Sequence, residues 1–321
     1  MSYILRKKTV LSYNNRFFGK NPEQTVLHKD NNMTDSSKQT ATLLITAPDR
    51  KGLVHAISLF LLEHNGNIIH ADQHEDAIEK LFLMRVEWDM QGFTLQTREA
   101  IARAFAPVAD AFGMSWQLHF SHTRRRIALF TSQYEHCLSD LLHRHRIGEL
   151  NCDIPLVIGN HDSVRDLVER HGIPFYHIVT TRENKAEAEA CQLALLEKAN
   201  IDTIVLARYM QILSPVFVQK YPNQVINIHH SFLPAFDGAK PYHRAHARGV
   251  KLIGATSHYV TDELDEGPII EQEVTRVSHR DDIPDLIEKG RDLEKIVLAR
   301  AVKWHLQSRV LSYNNKTVVF D

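Results

Sequence analysis

The residues best equipped for chemistry stand together in "VINIHHSFLPAFDGAKPY", from Val225 to Tyr242. Asn227, His229 and His230 close an apolar run, and a loop punctuated by proline and glycine follows. A second stretch, "GATSHYVTDELDEGPII", carries an apolar strand into an acidic loop holding Asp262, Glu263, Asp265 and Glu266. Side chains two apart on a strand share a face, so Asn227 and His229 point together and His230 is expected to face the other way. An amide donor beside an imidazole suits acyl chemistry: asparagine can hydrogen-bond a developing oxyanion, and histidine can move a proton near neutral pH. An acid from the second loop would orient the imidazole and tune its charge. No serine, cysteine or threonine elbow offers a covalent nucleophile, so direct attack by water or by an acceptor amine is the simpler route.

Blander readings compete with this one. A histidine at a strand end is more often structural than catalytic, and an acidic turn is usually solvated. Twenty histidines also raise the question of zinc, with His229, His230, His243, His246 and His258 as candidate ligands. HxxxH spacing needs both histidines on one helix face. Gly238 and Pro241 stand just ahead of His243 and argue against such a helix, so no metal site is expected.

The elements that must position these groups fall into two patterns. From Ala41, "ATLLITA", "LVHAISLFLLEH", "NIIHADQHED", "KLFLMRVEWDM", "LQTREAIARAFAPVADAF" and "MSWQLHF" read as β-α-β-β-α-β, a ferredoxin-like arrangement over 40–121. The basic "HTRRR" of 122–126 is expected to be a linker. Over 127–321, strands such as "IALFTS", "IPLVIGN", "IPFYHIV", "TIVLARY" and "QVINIHH" alternate with helical stretches. Near-continuous apolar strands in such alternation mark a Rossmann-like, mostly parallel sheet, giving an α/β chain overall. Ligands in these sheets bind beyond the carboxyl ends of the strands, where "NIHH" lies.

Composition narrows the class. With 43% hydrophobic and 24% charged residues, the chain has the make-up of a globular protein with a real core. A formal charge of −1 argues against a general grip on nucleic acid, and no apolar run is long enough to span a membrane. Cys137, Cys152 and Cys191 form no CxxC pair, so neither a disulfide framework nor a cysteine-zinc cage is expected, and a cytoplasmic enzyme is the default. Residues 1–39 are basic and then polar, without periodicity. They read as an extension or as a start chosen ahead of Met33, with a transit peptide as the alternative. "VLSYNN" occurs at Val10–Asn15 and again at Val310–Asn315, a repeat with no physical account at this level.

Side by side, the two stretches resemble the core of the folate-dependent formyltransferase family. Its signature is Asn-x-His-x-Ser-hydrophobic-Leu-Pro followed by Asp-x-Gly-x-Ile-Ile. Asn227, His229 and Asp265 stand at the family's catalytic positions. "LARYMQIL" resembles its folate-binding segment, which implies folate contacts from Leu206, Met210, Gln211, Ile212 and Leu213, with Thr261, Asp262, Glu263 and Leu264 clasping the pterin from the acidic loop. Thr256 and His258 would support the site, and the loop through Gly238 would form its lid or wall. The front half resembles an ACT domain, whose Asp-x-x-Gly-Leu turn is present as Asp49, Gly52 and Leu53. That implies a homo-oligomer and an amino-acid effector at that turn, with a purely oligomerising module as the alternative. The resemblance covers residues 40–320.

An ACT domain ahead of a formyltransferase domain is the order of the family's hydrolytic, deformylase branch. The substrate implied is 10-formyltetrahydrofolate, with no tightly bound cofactor. The member acting on glycinamide ribonucleotide holds a phosphate on a Gly-Ser-Asn turn after its first strand. Here Gln133, Tyr134, Glu135 and His136 replace that turn; Glu135 would repel phosphate and the side chains would obstruct close backbone approach. His230, where the transferases carry proline, also departs from them. Hydrolysis to tetrahydrofolate and formate is therefore expected, balancing one-carbon folate pools and supplying formate for purine synthesis. Transfer to an amine acceptor is the alternative.

Overall fold

Apolar runs broken by turn residues build the first sheet, and the computed structural model describes residues 39–234 and 241–321. Its elements are β1 (Thr40–Pro48), α1 (Leu53–Glu63), β2 (Asn67–Asp76), β3 (Leu81–Asp89), α2 (Arg98–Phe112) and β4 (Ser115–Phe120). The strands lie in the antiparallel order β2-β3-β1-β4, a ferredoxin-like arrangement. α2 begins where the Thr97 side chain accepts from the Ala100 N–H, and ends at left-handed Gly113. Both helices cover one face, burying Leu43, Ile45, Ile57, Trp88 and Phe105.

The second sheet follows at once. Its elements are β5 (Arg125–Thr131), α3 (His136–Arg146), β6 (Cys152–Gly159), α4 (Arg165–Glu169), β7 (Phe175–His177), α5 (Lys185–Lys198), β8 (Thr203–Ala207), α6 (Pro215–Val218), β9 (Val225–His229), α7 (Pro241–Arg248), β10 (Leu252–Tyr259), β11 (Ile269–Arg276) and α8 (Ile283–Leu306). The order is β11-β10-β9-β8-β5-β6-β7, with β7, β6, β5, β8 and β9 parallel and β10 antiparallel between β9 and β11. β8 is buried at every residue because helices cover both faces. On one side Val297, Leu298 and Ala301 of α8 pack with Ile127, Val205 and Ile226; on the other Leu196 and Phe217 pack with Phe130 and Ile204. The chain leaves β5 toward β6 and β7, then returns to place β8 on the other flank of β5. That reversal opens a crevice at the carboxyl ends of the central strands.

Several boundaries differ from the sequence reading. Arg125 and Arg126, expected in a linker, are the first residues of β5. The Arg125 guanidinium contacts His305 Nε2 at 2.9 Å and His119 Nδ1 at 3.2 Å, and the Arg126 N–H donates to Asp202 at 2.7 Å. Pro241 opens α7 rather than precluding a helix there, because a missing N–H costs nothing in a first turn. The long helix α8 had no counterpart in the reading; it starts on a capping box in which Asp282 and Asp285 each accept from the other's N–H. The second "VLSYNN" is strand and turn: β12 (Val310–Tyr313) pairs with β13 (Lys316–Val319) across Asn314 and Asn315, both left-handed as a type I′ hairpin requires. The first "VLSYNN" and the rest of residues 1–38 lie outside the described residues. Among the described residues no helix is long and apolar enough to cross a membrane.

Three histidines are held neutral inside this fold. Burial, with Arg125 nearby, lowers His119 to about 3 and holds His305 well below the usual range. Burial and Arg208 lower His230 to about 4. In the unfolded chain each would take up a proton near pH 6.5. Stability is therefore full above about pH 6.5 and falls as pH drops below it, before carboxylates contribute. Urea midpoints should drop clearly between about pH 7.5 and about pH 5; a flat midpoint would contradict neutral burial of these rings.

Candidate active site

The carboxyl ends of β8 and β9 open onto a cavity of about 810 Å³. Asn227, His229, His258 and Asp265 all line it. Strand register brings the first three together: across the antiparallel β9–β10 pair, His258 lies opposite Asn227 and Thr256 opposite His229. Asp265 comes from the loop after β10. It has a left-handed backbone, φ 58°, which aspartate tolerates better than most residues. Gly267, two residues on, passes so close to the Tyr259 backbone that no Cβ would fit. Asn315 of the terminal hairpin donates to the Glu266 carbonyl at 2.8 Å, so the loop is held from outside as well.

His229 Nδ1 lies 3.1 Å from Asp265 Oδ2, and His258 Nε2 lies 3.5 Å from the other carboxylate oxygen. Partial burial would raise the Asp265 carboxyl, but its bonds to both imidazoles outweigh that and hold it well below the usual carboxylate range. Asn227 Nδ2 stands 3.2 Å from His258 Nε2, and His258 Nδ1 is 2.9 Å from the Tyr259 carbonyl. His258 Nε2 thus stands within reach of both the Asn227 amide and the Asp265 carboxylate. Among the described residues the buried His229 Nε2 has no partner. An imidazole on the cavity wall, with Nδ1 tied to a carboxylate and Nε2 left without a partner among the described residues, is arranged to take up a proton.

The other expected residues divide. Leu206, Met210, Gln211, Ile212 and Leu213 line one wall, and Asp262, Glu263 and Leu264 line another. Met210 and Ile212 are 56% and 60% exposed, apolar surface at the mouth of a ligand-sized cavity. Thr261 lies off it, in a shallower depression, with its hydroxyl spent on the Glu263 carbonyl at 3.2 Å. Thr256 is fully buried: its hydroxyl donates to the Ser231 carbonyl and accepts from the Leu233 N–H, fastening the turn after His230. Gly238 lies outside the described residues. Asp49, Gly52 and Leu53 line a separate depression of about 350 Å³ on the first sheet. His230 does not face away. β9 ends at His229, strand alternation lapses, and the two rings stack at 5.1 Å and 17° on the cavity wall.

One wall was not foreseen. Glu294 of α8 is 1% exposed, accepts from the Tyr242 hydroxyl at 2.8 Å, and contacts His136 Nε2 at 2.7 Å and Arg208 Nε at 3.4 Å. Burial pushes the Glu294 carboxyl up, yet His136 and Arg208 hold it below its usual value. Tyr242 reaches it because Gly290 leaves the space a Cβ would fill. The sequence does carry a signal: Glu294 falls on the helical stripe of Leu286, Gly290, Leu293, Val297 and Ala301, where an acid is out of place. His136, Cys137 and Glu294 offer ligand atoms within 4.8 Å of one another. They suit a metal poorly: the carboxylate already serves an arginine, and burial beside Glu294 pushes the Cys137 thiol well up, away from the thiolate a metal needs.

Comparison with known proteins gives the family. The formyl transferase family model matches residues 125–302. A protein of Synechocystis sp. named formyltetrahydrofolate deformylase is 56% identical over 88% of this chain and 98% of its own. Its namesake in Bacillus subtilis is 50% identical over 89% and 96%. A crystal structure of a formyltetrahydrofolate deformylase from Pseudomonas syringae pv. tomato superposes with a TM-score of 0.87 at 50% identity, covering 90% of this chain and 97% of that one.

The Glu294 wall makes a stability prediction. Tyr242→Phe removes an O–H donor from a buried carboxylate and should cost about 2 kcal/mol. A urea midpoint equal to that of the unmodified chain would show that the carboxylate does not depend on this donor.

Proposed function

The chain belongs to the formyltetrahydrofolate deformylase family, and from that premise we propose how the cavity at the ends of β8 and β9 works. The reaction is hydrolysis of 10-formyltetrahydrofolate to tetrahydrofolate and formate. The observation that carries the mechanism is His229 on the cavity wall, its Nε2 without a partner among the described residues and its Nδ1 tied to an ionised Asp265. Water attacks the formyl carbon while His229 Nε2 takes its proton, and the carbonyl electrons move onto oxygen. The Asn227 Nδ2 amide, beside His258, donates to the oxyanion. As the carbon–nitrogen bond breaks, the imidazolium returns the proton to the departing folate nitrogen. Asp265 stabilises the imidazolium between these steps and stays ionised throughout.

The folate is read as lying between the Leu206 and Met210–Leu213 wall and the Asp262–Leu264 loop. Support comes from the exposed apolar Met210 and Ile212 and from left-handed Arg208 and Met210, whose backbone is held away from ordinary geometry at the cavity edge. The strand-end turn at Gln133–His136 carries side chains where an acceptor's phosphate would need bare backbone, which favours water as the acceptor. The product formate is proposed to feed purine synthesis from a cytoplasmic, homo-oligomeric enzyme. The first sheet is read as an ACT-type regulatory module whose effector, a small amino acid, meets Asp49, Gly52 and Leu53; the depression they line supports it.

Incubation of the purified protein with 10-formyltetrahydrofolate and no amine should release formate and tetrahydrofolate in equal amounts. Asn227→Ala should slow this on the order of 10²-fold or more, the scale of a lost oxyanion donor. Turnover only on addition of an amine would replace hydrolysis with transfer, and a fully active Asn227→Ala protein would remove Asn227 from the mechanism. For the first sheet, calorimetric titration with glycine and methionine should give saturable heat that Asp49→Ala abolishes; no heat from either would leave an oligomerising module.

A further inference from the structure

We infer that His230 is a further group of this reaction: a neutral imidazole, fixed with its hydrogen on Nε2 by Arg208, that donates to the formyl oxygen beside Asn227. The inference deepens the hydrolytic reading and rests on it.

Hydrogen-bond polarity fixes the tautomer. Arg208 Nη1 lies 2.6 Å from His230 Nδ1. A guanidinium has only donors and stays charged, so Nδ1 must hold a lone pair and the ring hydrogen must be on Nε2. Arg208 is itself held in place. Its side chain is 10% exposed, its Nε faces buried Glu294 at 3.4 Å, and its guanidinium lies 5.4 Å from the Tyr134 ring. Other charged or titratable groups facing His230 are His229, stacked 5.1 Å away on the preceding residue, Tyr242 of α7 at 6.2 Å between ring centres, and Asp265 in the loop after β10. Burial, then Arg208 and His229, oppose a positive charge on the ring more than Glu294 and Asp265 favour it, which agrees with the neutral ring that the Arg208 contact requires.

Position completes the argument. His230 lines the same cavity as Asn227 and His229, and among the described residues Nε2 meets no acceptor. A half-buried N–H at a reacting centre, with no protein acceptor, is available to the charge that develops there. A stacked, near-parallel ring also limits His229 to one orientation. That second effect alone would be structural, so the test must separate it from donation.

Long-range proton–nitrogen correlation spectra of the full chain at neutral pH should show His230 as the Nε2–H tautomer, assigned by the signal lost in His230→Gln. An Nδ1–H ring or an imidazolium would overturn the proposal. In kinetics, His230→Phe keeps a flat ring on His229 but loses the donor, and should lower kcat on the order of 10²-fold with KM within about threefold. His230→Gln returns an N–H at the Nε2 position and should recover about tenfold of that loss. If Phe retains kcat, or if Gln is no better than Phe, His230 does not donate in the transition state. The spectra are read without substrate, so they fail separately from the hydrolytic reading, whose failure would be an unmodified protein that releases no formate.

Discussion

The contact between Asp265 and His229 Nδ1 is the constraint on which the rest of the site depends. It fixes which nitrogen of His229 carries a hydrogen, and so which one is left to act as a base. The two partners come from different elements, the end of β9 and the loop after β10, and neither position has a side-chain reason to favour the other. Antiparallel pairing of β10 with β9 supplies the coarse approach. The fine approach depends on backbone: a left-handed Asp265, a Gly267 pressed on Tyr259, and a Glu266 carbonyl capped by Asn315. A longer side chain at 267 would displace the carboxylate before it altered any catalytic group.

Charge on the opposite wall follows the same logic with opposite sign. An isolated carboxylate at 1% exposure would be strongly disfavoured, and Glu294 is retained because Tyr242, His136 and Arg208 all serve it. Holding Arg208 there has a consequence for His230, since the guanidinium that neutralises Glu294 also occupies His230 Nδ1. One buried acid thus bears, through a shared guanidinium, on which nitrogen of His230 carries the ring hydrogen. Two histidines adjacent in sequence acquire different states: His229 is paired with a carboxylate, and His230 with a guanidinium.

Much of this was legible in the residues, and the limits of legibility are physical. Period-two and period-3.6 patterns placed both sheets, because burial on one face or both leaves a periodic trace. Asn227 and His229 could be assigned to one face for the same reason. His230 was misassigned because alternation holds only within a strand, and β9 stops one residue earlier. Pro241 was read as a helix breaker when it is a helix starter; the residue type alone does not distinguish the two. Thr261 lies off the cavity, its hydroxyl bonded within its own loop to the Glu263 carbonyl. Glu294 and Arg208 went unseen because long-range pairing joins positions 86 residues apart, with no local spacing to mark it.

The terminal hairpin shows how a sequence oddity becomes a mechanical part. Leu311 and Phe320 pack on Leu44 and Leu83, the face of the first sheet that the helices leave bare. Tyr313 and Lys316 bind Asp76, and Asn314 binds Glu79, at the turn between β2 and β3. From the hairpin's own turn Asn315 reaches the Glu266 carbonyl, and Thr317 of β13 binds the Ile269 carbonyl where β11 begins. The two asparagines of "VLSYNN" therefore divide their work: one holds the first sheet, and the next holds the loop that carries Asp265. The active-site loop is thereby packed against the first sheet through a single rigid turn, so the geometry of Asp265 is not a property of the larger sheet alone.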